Sequence, residues 1–282
     1  MVLNDIYAEI EKVKELDGVD SEVIGYSLLN RPIIALHIGS YEGKQVLIQG
    51  SIHAREYITS LLLIEQIKFT KTQVFDGGFY FIPLVNPDGV ALVLEGSKSV
   101  KCKLLREYLI KINNNSEDFS LWKANAAAVD LNVNFDADWG TGRQNVFQPS
   151  SSNFVGYYAQ SEREVNNLIN FATKIKPSMT LSYHSRGEVI YYGFNGQTNE
   201  QEKKDLFIAS NVAEVTGYLI EKLSGSVGGF KDWTTRHLGV PALTIEVGSE
   251  EMKHPIGKEH LESIFNKNKL VPIVAMKSLT KL

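Results

Sequence analysis

The sequence predicts an α/β protein built on a mixed, largely parallel central sheet with helices on both faces, a three-layer α/β/α arrangement. Two observations carry this. Short β-branched or apolar runs alternate with longer segments of helical periodicity from end to end. Two of those runs, GFYFIPLV at 78–85 and VPALTIEV at 240–247, are apolar almost throughout, as strands covered on both faces are. No internal repeat, Ser/Gly linker or charge block cuts the 282 residues, so one domain over 1–282 is expected.

The elements follow in order. Residues 1–16 place Ile6, Ile10 and Val13 on one face and predict an amphipathic helix. Strands follow at 23–29 and 32–39, joined by the turn-forming Asn30, and a third at 44–49. The run 56–69 has helical spacing. Strand 78–85 ends in the turn Asn86-Pro87-Asp88-Gly89. Ser161-Glu162-Arg163-Glu164 has capping-box spacing and opens a helix that Pro177 stops, and Met179–Tyr183 continues as a strand. Tyr191 and Tyr192 lie on a further strand, residues 240–247 form a late buried one, and a helix from Lys258 closes the chain. Residues 113–160 are rich in Asn and Ser and poor in periodicity; a long loop of that kind in a compact domain is usually functional.

Composition excludes several classes. Lys plus Arg is 29 against 33 Asp plus Glu, a formal charge of −4, so no basic excess exists to neutralise a phosphate backbone and nucleic acid is not expected as a partner. The single cysteine, Cys102, has no mate for an internal disulfide. No apolar run approaches the ~20 residues of a membrane span, so no membrane insertion is expected. The N-terminal stretch is charged throughout and lacks the apolar core of a secretory signal, so a cytoplasmic protein is expected unless a leader precedes it.

Three segments put metal-ligand side chains where strands end. His53 and Glu56 stand three apart just after strand 44–49; His184 closes strand 179–183; Glu246 lies inside the last strand. Open α/β sheets place their sites at such strand ends. Two His and one Glu make a three-donor set that leaves a zinc ion one open position. A carboxylate flanked by Thr244, Ile245 and Val247 is costly unless paired or functional.

HAREYIT at 53–59, then His184 and Glu246, resembles the zinc metallocarboxypeptidase family. The NPDG segment, Asp130-Leu131-Asn132 with Asn134-Phe135, SSNFVGYYAQSEREV and GGFKDW match it in the same order, over about residues 22–280. The resemblance implies one zinc ion held by His53, Glu56 and His184, with Asp130 orienting His53 from behind. It implies that Glu246 is the general base that takes a proton from the attacking water and delivers it to the leaving amine. Lys123, after Trp122, falls where the family has an arginine that polarises the scissile carbonyl, and Arg55 would line the substrate groove.

The departures from the family pattern are informative. Its carboxypeptidases follow the asparagine matched by Asn132 with an arginine that clamps the substrate's C-terminal carboxylate. Val133 stands there and cannot do so. The family's mobile tyrosine is matched by Ser224. Two cations appear instead: Lys231 in GGFKDW and Arg186 in HSRGE, at positions that would flank the cut on its two sides. These segments resemble the branch that cleaves bacterial cell-wall peptides between γ-D-glutamate and meso-diaminopimelate. That substrate offers an α-carboxylate to Arg186 and a distal carboxylate to Lys231. The rival readings are a conventional carboxypeptidase of acidic preference, an amidohydrolase of acyl amino acids, and a non-catalytic zinc-dependent binding protein. Endopeptidase and carboxypeptidase-like modes of cleavage both remain open at this stage.

Overall fold

The computed structural model describes residues 1–222 and 225–282. Its elements are α1 (Leu3–Lys14), β1 (Val19–Tyr26), β2 (Pro32–Gly39), β3 (Gln45–Gln49), α2 (Ile58–Thr70), β4 (Gly78–Ile82), α3 (Pro87–Glu95) and α4 (Lys103–Ile112). They continue with α5 (Arg163–Ile175), β5 (Met179–Ser185), β6 (Val189–Tyr192), α6 (Asn199–Thr216), β7 (Leu219–Lys222), α7 (Phe230–Trp233), β8 (Ala242–Val247), α8 (Leu261–Asn268) and α9 (Val271–Leu279).

Eight strands form one sheet in the order β1-β2-β4-β3-β5-β8-β6-β7. The central four, β4-β3-β5-β8, are mutually parallel, and the antiparallel pairings lie outside them. Mixed and largely parallel is therefore the observed architecture. Side chains alternate across it as the period of two requires. Val46 and Ile48 of β3 join Met179, Leu181 and Tyr183 of β5 and Leu243, Ile245 and Val247 of β8 in a core under α1, α2, α6, α8 and α9. Leu47 points the other way, into a second core with Val165, Leu168 and Phe171 of α5 and Phe230 of α7. The same alternation sends His184 and Glu246 to the second face, near its open end.

From β3 the chain goes to β4 on one side, then returns to β5 on the other. The sheet thus reverses its strand order between β3 and β5, and the crevice beyond their carboxyl ends is where such sheets bind ligands. His53 and Glu56 follow β3, and His184 lies in β5.

Several local expectations are corrected. The first strand runs earlier, Val19–Tyr26, because it pairs with β2 from Val19↔Ile38 to Tyr26↔Pro32. The Asn86–Gly89 segment is a helix start rather than a turn: the Asn86 Oδ1 accepts from the Gly89 N–H at 3.0 Å and Pro87 occupies the first turn of α3. Asn86 Nδ2 also donates to the carbonyls of Ile52 and Ala124, at 3.1 Å each, tying the loop that bears His53 to the one that bears Lys123. No capping box forms at 161–164; Ser161 donates to Glu162, and Glu164 is buried, accepting from the Leu28 N–H. The closing helix is two helices, α8 and α9, with Pro272 in the first turn of the second. Helices α3, α4 and α6 are absent from the expected elements, although Thr198 and Gln201 form a capping box at the start of α6 and Gly217 ends it. Among the described residues no helix is long and apolar enough to cross a membrane.

Candidate metal centre

The loop after β3 is built to hold two side chains still. Ser51 adopts φ 52°, its N–H donates to Thr59 Oγ1 at 2.7 Å, and its Oγ lies 2.6 Å from Ser60 Oγ. A short 3-10 turn, Ala54–Glu56, follows and brings Glu56 back beside His53. The Ala54 N–H donates to the Lys123 carbonyl at 3.0 Å, which fastens this turn to the long loop.

His53, Glu56 and His184 converge, all buried. His53 Nδ1 is 2.9 Å from Glu56 Oε1, His184 Nδ1 is 3.0 Å from Glu56 Oε2, and the two Nδ1 atoms are 3.1 Å apart. Two donors at zinc's bond length of about 2.0–2.1 Å sit about 3.3 Å apart in a tetrahedron, so this spacing suits one small cation. The chemistry of the set agrees. His53 Nε2 lies 3.2 Å from Asp130 Oδ1, an acceptor that keeps the ring proton on Nε2 and frees the Nδ1 lone pair. Burial pulls His184 toward its neutral form, the form in which an imidazole binds metal. Burial alone would also neutralise Glu56, but His53 and His184 outweigh it and hold the carboxyl well below the usual range.

Asp130 is fully buried and its oxygens are occupied. Oδ1 also accepts from the Asn132 N–H at 3.1 Å, and Oδ2 accepts from the Asn153 N–H at 3.0 Å and faces Lys123 Nζ at 3.3 Å. Burial opposes its charge, yet Lys123 and His53 keep it ionised.

Glu246 pairs in register with His184 across β5 and β8. Burial first and the charge of Glu56 second push its carboxyl up to about 8, and its Oε2 is buried without a hydrogen-bond partner. A cavity of about 440 Å³ opens over this group, with Arg55, Lys123 and Arg186 in its wall. The Nε atoms of Arg55 and Arg186 are buried and unpartnered, while another Arg186 nitrogen donates to the Glu250 carbonyl. His254 and Glu250 share the wall. The residue pattern around His254 does not by itself bring it into the site. Its one signal was its position in the loop after β8, at the strand ends where the site forms.

The remaining expected residues lie elsewhere. Asn132 spends its side-chain oxygen on the Phe230 N–H at 3.2 Å. Lys231 is 3% exposed, and its ammonium donates to Asp232 Oδ1 and to the Gly193 carbonyl, both at 2.6 Å. It is not in the wall of the metal cavity, which corrects its expected role as a free cation. Its stem follows the buried face of α7, and burial demands partners for the charge. Ser224 lies outside the described residues.

The site and the fold together define a zinc metallopeptidase. The family model for zinc carboxypeptidase matches residues 6–268, and the chain belongs to that family. It is 29% identical to the uncharacterized protein YqgT of Bacillus subtilis (strain 168), over 94% of this chain and 77% of that protein. It is 30% identical to γ-D-glutamyl-L-diamino acid endopeptidase 1 of Lysinibacillus sphaericus, over 92% of this chain and 67% of that one. Bovine thrombin-activatable fibrinolysis inhibitor superposes with a TM-score of 0.80 at 21% identity, over 100% of this chain and 97% of that one. Murein-tripeptide amidase MpaA of Escherichia coli O157 superposes with 0.54 at 19%, over 92% and 91%. At those identities the two structures speak for the fold.

Proposed function

We propose that the protein acts as one catalytic unit that hydrolyses the γ-D-glutamyl–diaminopimelate amide of peptidoglycan-derived peptides. The observation that carries this reading is Glu246 Oε2, unpartnered beside the His53–Glu56–His184 set, in a cavity where Arg55 and Arg186 also hold unpartnered N–H groups. Free donors in the wall suit a substrate with a carboxylate next to the scissile bond, and a glutamate linked through its side chain keeps its α-carboxylate. The relative of Lysinibacillus sphaericus that bears such an activity in its name supports the choice.

When bound, zinc supplies Lewis acidity that polarises the scissile carbonyl and acidifies the attacking water. His53, Glu56 and His184 would hold it. Glu246 accepts the proton of the water at Oε2 and returns it to the departing amine nitrogen, acting as base and then as acid. Lys123 places a point charge toward the carbonyl oxygen, without the two-pronged fit an arginine would give. Arg186 and Arg55 receive the glutamate α-carboxylate. Asn132, its oxygen committed to Phe230, offers its amide N–H groups to the substrate.

Mass spectrometry of muropeptides incubated with the zinc-loaded protein tests this, beside a chelated control. Zinc-dependent fragments that begin with diaminopimelate are expected. Release of C-terminal residues from α-linked peptides, with the γ-linkage intact, would replace this reading by a conventional carboxypeptidase.

A further inference from the structure

A second cavity, of about 240 Å³, runs along the loop that follows Asp130, with Val133 in its wall. Val133, Arg143, Asn145, Asn153 and Ser226 line it together with Gln144 and Gly225. It adjoins the metal centre through a short chain of contacts: the Asn153 N–H donates to Asp130, which holds His53. Val133 ends the 3-10 turn that begins one residue after Asp130.

The lining is one-sided in its chemistry. It holds a guanidinium, three side-chain amides and a hydroxyl, and no carboxylate. Among the described residues no acidic group lies within ion-pair distance of Arg143. The neighbouring carboxylates are committed: Asp130 to His53 and Lys123, and Asp138 to Arg236. Asn145 Nδ2 is a buried donor without an acceptor among the described residues. The Arg143 side chain is also seated. The backbone N–H of Arg143 donates to the Gly225 carbonyl at 3.0 Å, and a Cβ on Gly225 would stand 3.0 Å from the side chain's Cδ and Nε. Gly225, at φ +82°, leaves that space open. The half-buried amides of Asn145 and Asn153 beside the exposed guanidinium of Arg143, with no acid among them, make an anion site.

We infer that Arg143 and Asn145 bind a carboxylate of the leaving residue, the amino acid that carries the amine released on hydrolysis. The inference rests on the peptidase reading above and gives the leaving side of the site its cation, the part that Lys231 is too buried and too committed to play. A planar guanidinium meets a carboxylate through two parallel N–H bonds, with the Asn145 amide adding a third donor. Specificity then follows from cost. A leaving residue whose carboxylate is capped as a neutral amide forfeits the charge-assisted bonds.

Two measurements test the inference. In the first, kcat/KM is compared for a γ-D-glutamyl dipeptide with a free leaving-residue carboxylate and for its carboxamide. The wild type is expected to prefer the acid tenfold or more. R143A and R143Q should bring that ratio toward one, and R143K should restore part of it. A ratio unchanged in R143A overturns the assignment. In the second, calorimetric titration of the zinc-loaded protein with diaminopimelate and with its bis-carboxamide needs no turnover. Binding that requires the carboxylates and weakens tenfold or more in R143A upholds the assignment even if the γ-glutamyl peptide is not cleaved and the proposed reaction fails. Equal binding by the wild type and R143A refutes it.

Discussion

His184 and Glu246 face one another across two parallel strands as register partners, on the same side of the sheet. Neither strand offers a choice in this. Tyr183 and Ile245 are committed to the opposite core, so the next residue in each strand turns toward the crevice. The pairing of a candidate ligand with a candidate base is thus held by the register of the sheet, with no flexible loop between them.

Glu246→Gln should keep its metal and lose its chemistry. Turnover is expected to fall about 10²–10⁴-fold, the usual worth of a positioned base. Metal analysis of the purified variant checks the first half and steady-state kinetics the second. A variant that turns over normally would remove Glu246 from the mechanism. Chelation of the wild type should abolish activity, with recovery on adding zinc.

Asp130→Asn tests the support behind the ligand. With a neutral amide facing Nε2, His53 loses the partner that fixes its tautomer, and zinc affinity should drop about 10–100-fold. Competition with a chromogenic chelator measures this directly. Unchanged affinity would mean that His53 is oriented by packing alone.

Lys231→Met is expected to act on stability. It strands the Asp232 carboxylate and the Gly193 carbonyl, which Lys231 now satisfies at 2.6 Å each. Breaking a buried ion pair in this way costs about 3–5 kcal/mol. The urea midpoint should fall accordingly, while the relative rates on diaminopimelate and lysine substrates stay the same. A change in those relative rates with the midpoint intact would return Lys231 to the substrate site.

Glu164 predicts a slope in stability with pH. Burial, with the charge of Asp88 and Glu162 adding to it, pushes its carboxyl up to about 7 from the ordinary 4.5. The folded state therefore holds this proton more tightly than the unfolded chain. Its contribution is fully present below the unfolded value and is lost as pH rises through about 7. At about 1.4 kcal/mol per pKa unit, the loss across that window is about 3 kcal/mol. Glu164→Gln should flatten the thermal midpoint between pH 4.5 and 7 relative to the wild type. Parallel curves for the two proteins would refute this.

The three candidate metal donors, the proposed base and the strands that carry them were legible in the sequence, because each is a local event: a short apolar run, then a side chain of unusual cost at its end. Zinc and the peptidase class followed from that spacing and from the resemblance it carried. Tertiary structure decided what depends on distant partners. Lys231 meets its sequence neighbour Asp232 locally, but that it is buried and tied to the Gly193 carbonyl, 38 residues away, was settled by the fold. His254 entered the cavity wall, and Arg143 faced its own cavity, only because loops far apart in the chain close over the same strand ends. A ligand set is written in residue types and spacing, whereas the availability of a charge is set by what the fold packs around it.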